Sequence, residues 1–209
     1  MAKRTKRNRE LSPQRIKRWL KPLIILVALF AVGYLFVLLL GAIGGRPGYA
    51  VADQGRGHIE EQHCTPHYNS SPPTSGCHSL NKVPYGVHDE PIPAELQVHN
   101  LEHGSAIIQY RPSGIIGVGD TLAQDLQSLV NRLRNADPRY CRLIVAPYPF
   151  PFSLPNRPQE ETSPKVIALT AWGRMDLLDQ FDEGRIKKFV DAFINQGPES
   201  AQLTLAECQ

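Results

Sequence analysis

Residues 106–138 read AIIQYRPSGIIGVGDTLAQDLQSLVNRLRNADP, and this stretch decides the fold class. Its opening, Ala106 to Tyr110, is a short apolar run with β-branched residues, the pattern of a buried strand. Arg111 to Gly119 is a glycine-rich turn. Asp120 or Thr121 stands where a helix cap belongs, and Leu122, Leu126, Leu129, Val130 and Leu133 recur at the spacing of one helical face. The helix should stop near Asp137-Pro138, because the residue before a proline is driven out of the helical region. A strand that turns into an amphipathic helix is the opening of an α/β domain.

Working outward, Arg142 to Ala146 reads as the next strand, Pro147 to Pro164 as a proline-rich excursion, and Val166 to Ala171 as a third strand. Ile186, Phe189, Val190, Phe193 and Ile194 then define an amphipathic helix stopped by Gly197-Pro198. The order strand, helix, strand, strand, helix implies a small mixed sheet; thioredoxin-like and other sandwich arrangements are both compatible with it. On the N-terminal side, His58 to Pro93 is rich in Pro, His, Ser and Asn, without a helix or strand period. Two cysteines together with Tyr68 and Tyr85 mark it as an ordered loop. Gly45 to Gly57 reads as a glycine-rich spacer, so residues 58–209 are expected to form one domain.

Leu23 to Gly44 form 22 consecutive positions without a charged or strongly polar side chain. At a helical rise of ~1.5 Å per residue, that length matches a bilayer core of ~30 Å. A cleaved signal peptide would have an apolar region of only ~7 to 15 residues, so a retained signal-anchor is expected. Residues 1–22 carry nine Lys or Arg against the single Glu10, the signature of a cytoplasmic tail. The 58–209 domain is then extracytoplasmic, in the periplasm or outside the cell. Beyond the tail stand 14 basic and 19 acidic residues, a net charge of −5. Nucleic-acid binding is therefore not expected of the folded domain.

Cys64, Cys77, Cys141 and Cys208 all follow the apolar run. An even number in an oxidising compartment suggests two disulfides, of which Cys64–Cys77 and Cys141–Cys208 are preferred. The first closes a proline-rich local loop, and the second staples the C-terminal tail to a strand.

Tyr68-Asn69-Ser70-Ser71-Pro72-Pro73-Thr74-Ser75-Gly76, Val98-His99-Asn100-Leu101-Glu102-His103-Gly104 and Thr170-Ala171-Trp172-Gly173 together resemble a bacterial domain-of-unknown-function family, the one numbered 3105. The resemblance spans about residues 60 to 200. It implies an N-terminal membrane span with an outer domain, and no particular chemistry. Cys77 stands where the family's motif has a proline.

All seven histidines fall between His58 and His103, and imidazole is a common ligand for Zn, Cu and Ni. If His99 to His103 is helical, with Gly104 at its C-terminal end, His99 and His103 stand one turn apart and can share an ion. In a strand they would be ~13 Å apart and could not. His78, in the family-like Thr-Ser-Gly-x-His element, is the third expected ligand, with Glu102 orienting an imidazole. His58, His63, His67 and His88 could each complete a site, although each alone reads as a solvated loop residue. Met175 is the only methionine after residue 1, so an imidazole-based Cu(II) or Zn(II) site is expected over a thioether-rich Cu(I) site. Cys64 and Cys77 beside His67 and His78 also suggest a Zn site, which a disulfide outcompetes outside the cytosol. The bland alternative makes His99 and Glu102 hydrogen-bonded fixtures of the loop.

His99-x-x-Glu102-His103 also matches the inverted zincin signature, with two imidazole ligands and a glutamate base. Glu183 or Glu160 would have to complete such a site. Gly114 to Gly119 lacks the dinucleotide-binding spacing, and no nucleophile elbow surrounds Ser70, Ser71, Thr74 or Ser75. Trp172 reads as a core aromatic at a strand end in preference to part of a pocket rim. Three readings follow in order: a membrane-tethered metal-binding module, an accessory domain docking a membrane protein complex, and a zinc hydrolase.

Overall fold

The computed structural model describes residues 22, 24–37, 45–114, 119, 121–155 and 164–200. It divides into two compact units, Met1–Gly45 and Arg46–Gln209. In the first, residues 24–37 are helical with every side chain exposed, Ile24, Leu29 and Phe30 among them. Among the described residues no helix is long and apolar enough to cross a membrane. Residues 1–21, which carry all the basic side chains of the tail, and both ends of the expected span lie outside them.

The second unit is built on one mixed sheet. Its strands are β1 (Tyr49–Ala50), β2 (Gly86–Val87), β3 (Ala106–Tyr110), β4 (Leu143–Pro147), β5 (Ile167–Ala171) and β6 (Arg174–Leu178). They lie in the order β1-β6-β5-β3-β4-β2. β3 runs parallel to β4, with Ile108 opposite Val145, and β2 continues the parallel set on the far side of β4. β5 is antiparallel to β3, β6 to β5, and β1 to β6. The helices are α1 (Ile59–Gln62), α2 (Ala94–Glu102), α3 (Leu122–Ala136) and α4 (Glu183–Phe193).

Successive residues of a strand point to opposite faces, and the core divides accordingly. Ile108, Leu143, Val145 and Leu169 pack with Leu126, Leu129 and Val130 of α3 and Ile186, Phe189 and Val190 of α4. Ile107, Ile144 and Ala146 face the other way, against Leu101 of α2, Ile92 and the half-buried Trp172. Helices thus cover both faces; on the second, α2 and the loop that precedes it share the sheet with Tyr148 and Phe152, which pack on Ala168 and Leu177.

The expected strands and helices are present at β3, α3, β4, β5 and α4. Thr121 holds the N-cap position of α3 without a side-chain cap bond, and Asp120 lies outside the described residues. β6 escapes sequence inspection because Asp176 interrupts it. That carboxylate is buried and held by Arg185 through Nε at 2.9 Å and Nη2 at 2.7 Å. Residues 45–57, expected as a spacer, instead supply edge strand β1, and buried Val51 donates its N–H to the Gly173 carbonyl at 2.9 Å. A lone buried valine in a glycine-rich run gives no periodic signal.

Candidate metal centre

α2 begins directly after Pro93 with Ala94-Glu95-Leu96-Gln97, all strong helix formers. It ends at Gly104, whose φ of +86° favours glycine. Gly104 N–H donates to the Leu101 carbonyl and Ser105 N–H to that of Asn100, both at 2.9 Å, which is a Schellman closure. Gln97 through Glu102 are all buried. Asn100 clamps the preceding loop, accepting from Val83 N–H at 2.9 Å and donating to its carbonyl at 3.0 Å. Leu101 fills the core, Gln97 accepts from Gln109 of β3, and His99 and Glu102, three residues apart, share one face.

The facing half comes from the irregular chain before α2. His58 and His78 form a parallel bridge, with Ile59 N–H donating to the His78 carbonyl at 2.8 Å and His78 N–H to that of Gly57 at 2.9 Å. The Cys64–Cys77 disulfide, expected from the sequence, closes the loop beside this bridge. Cys141 is buried and disulfide-bonded, while Cys208, its expected partner, lies outside the described residues.

These halves bring one donor atom each from His58, His78, His99 and Glu102 within 4.8 Å of one another. His78 Nδ1 lies 2.7 Å from the Gly76 carbonyl, which only accepts, so that nitrogen carries the proton. His78 Nε2 lies 2.9 Å from Glu102 Oε2, a contact that is a hydrogen bond when a proton sits between them and that can be replaced by a shared cation when none does. His58 repeats the pattern. Its Nδ1 donates to Glu61 at 3.2 Å, while Nε2 is buried without a hydrogen-bond partner 3.8 Å from Glu102 Oε2. His99 bonds the Ser79 backbone and leaves Nδ1 buried and unpartnered, as is Glu102 Oε1. Burial first, then the neighbouring His103, His78 and His58, push the His99 imidazole down to about 4, so it is neutral near pH 7.

Buried polar atoms without partners cost ~1–3 kcal/mol each, and a group of three imidazoles and a carboxylate this close together could hold a metal ion. Tetrahedral bonds of ~2.0–2.2 Å set neighbouring donors ~3.3–3.6 Å apart, and the separations of 2.9 and 3.8 Å from Glu102 Oε2 bracket that range.

Of the residues the sequence reading singles out, the structure brings His78, His99 and Glu102 together; Glu102, expected to orient an imidazole, lies among the atoms that could hold an ion. His103 caps α2, its ring 4.7 Å from that of His99, outside the convergent group. His58 takes the remaining place; its signal was only membership of the histidine-rich segment. His63 caps the C-terminus of α1, and His88 Nε2 donates to the Pro84 carbonyl at 2.8 Å. Glu183 pairs with Arg132 at 2.8 Å, and Glu160 lies outside the described residues. Trp172 bridges core and site, with its ring 6.4 Å from that of His78 and its Nε1 donating to Asp53 at 3.2 Å.

A buried cluster of three imidazoles and a carboxylate, carried by a mixed α/β domain, defines the class. Residues 58–204 match the family model described as Protein of unknown function (DUF3105), and the chain belongs to that family. No curated protein and no solved structure matches it.

Proposed function

We propose that this protein is a membrane-tethered, extracytoplasmic metal-binding module in which His58, His78, His99 and Glu102 hold one Zn(II) or Cu(II) ion. One observation carries the reading: His58 and His78 each engage an outward acceptor through Nδ1, His99 bonds the Ser79 backbone, and all three bring a ring nitrogen within 4.8 Å of the buried Glu102 carboxylate. Outer partners that fix the tautomer in this way are the usual setting of a histidine ligand. Three imidazoles and one carboxylate suit a borderline divalent ion, and the group contains neither thiolate nor thioether.

The hydrolase reading fits less well. Glu102 points into the donor group, where it cannot also serve as a base outside the metal shell, and four protein donors fill a tetrahedral site. The tether rests on the apolar run Leu23 to Gly44 and on the large apolar side chains exposed along residues 24–37, which water alone would solvate poorly.

The test is metal analysis and titration of the full-length protein in detergent. Wild type is expected to bind one equivalent of Zn(II) or Cu(II), with Trp172 fluorescence reporting Cu(II) through quenching. His78→Ala and Glu102→Gln should abolish binding. Equally little metal in wild type and variants would refute the reading.

A further inference from the structure

The two halves of the centre are secured by different means. His99 and Glu102 ride on a regular helix closed by the Schellman bonds and anchored by Asn100 and Leu101. His58 and His78 lie on irregular chain, and the segment between them contains nothing more regular than the four-residue α1 and isolated bridges. The Cys64–Cys77 disulfide closes that segment beside both ligands. Cys77 is the residue before His78. Cys64 packs on Gly57, the residue before His58, so closely that a Cβ on Gly57 would lie 3.1 Å from Cys64 Sγ. Both cysteines are partly exposed, within reach of a soluble reductant.

We infer that the Cys64–Cys77 disulfide is a redox lock on the metal centre. It rests on the metal-holding reading above and adds the condition under which that site is competent. With the bond intact, His58 and His78 form one preassembled half. A dithiol supplies two electrons and two protons, the S–S bond breaks to give thiols at Cys64 and Cys77, and the dithiol becomes a disulfide. The metal does not change oxidation state. The freed loop then recovers its conformational entropy, and assembling His58 and His78 around the ion costs correspondingly more. His99 and Glu102 on their helix remain as an incomplete donor pair. The centre therefore retains metal where disulfides persist and releases it on reduction.

The experiment uses full-length protein in detergent and Zn(II) alone as the probe, in competition with a chromophoric chelator. The Cys64→Ser/Cys77→Ser variant, which leaves Cys141 untouched, is expected to bind about 100-fold more weakly than oxidised wild type, the scale of loop closure for a span of this length. Affinities within about threefold of each other would overturn the lock. Should the variant lose its thermal unfolding transition, Zn(II)-loaded wild type is titrated with a phosphine reductant while alkylation and mass spectrometry follow Cys64 and Cys77. Zn(II) release in step with their alkylation supports the lock, and retention after both are alkylated overturns it. If oxidised wild type binds no Zn(II) at all, the metal-holding reading fails, and the lock falls with it.

Discussion

Gly197 lies directly against the Glu102 carbonyl, and any Cβ at Gly197 would collide with backbone atoms of Leu101, Glu102 and Gly104. Glu199 N–H donates to the same Glu102 carbonyl at 2.9 Å, and Asn195 N–H to that of Gly104 at 2.7 Å. The turn after α4 thereby clamps the end of the helix that carries His99 and Glu102.

Gly197→Ala should cost about 1–3 kcal/mol, because neither backbone can retreat without breaking those bonds. Metal affinity should fall with it, since the helix end shifts. Gly184→Ala is the comparison. Its Cβ would meet only Asp182 Oδ1 at an ordinary 3.5 Å inside α4, so it should be neutral or stabilising by up to ~1 kcal/mol. Urea unfolding of both variants measures the difference, and equal effects would contradict the clamp.

Glu61→Ala removes the acceptor that fixes the His58 ring without touching the ion. Losing such an outer partner should weaken metal binding about 10- to 100-fold. His103→Asn, outside the convergent group, should change it by less than about threefold. Isothermal titration of the two variants reads the contrast, and a larger effect at His103 would reassign the ligands.

The metal-free protein should lose stability in acid through His99. Its folded value of about 4 lies below the ordinary 6.5, so between those values the unfolded chain binds the proton more strongly. That contribution is fully present above pH 6.5 and disappears as pH falls toward 4. Urea midpoints over this window should fall more steeply for wild type than for His99→Asn, and parallel slopes would remove His99 as the cause.

Leu126 is fully buried in the core on the sheet face opposite α2. Leu126→Ala should cost about 2–5 kcal/mol through lost burial and a residual cavity. The folded fraction should still bind metal with wild-type affinity. A titration at low temperature would show whether the two faces are energetically separate.

Much of the fold was legible in the chain because it is encoded locally. Leu122 to Leu133 and Ile186 to Ile194 repeat at helical spacing, and Ala106–Tyr110 and Ile167–Ala171 are short apolar runs. β6 was hidden because the charge of Asp176 is neutralised by Arg185, nine residues away, an arrangement no strand pattern records. At the candidate site, the clustered histidines were readable, whereas the helix around His99 stood open against a strand and the entry of His58 was not singled out.

By itself the sequence determined family membership, the α/β character of the domain and the histidine-rich segment, and it favoured the Cys64–Cys77 pairing that the structure contains. It also carries the expectation of a membrane tether. Tertiary structure alone decided which side chains meet: His58 with His78 across a backbone bridge, and both with Glu102 rather than His103. The physical reason is that helical and strand periods depend on neighbours a few residues apart, while convergence of donor atoms depends on how a distant loop docks on one face of a helix.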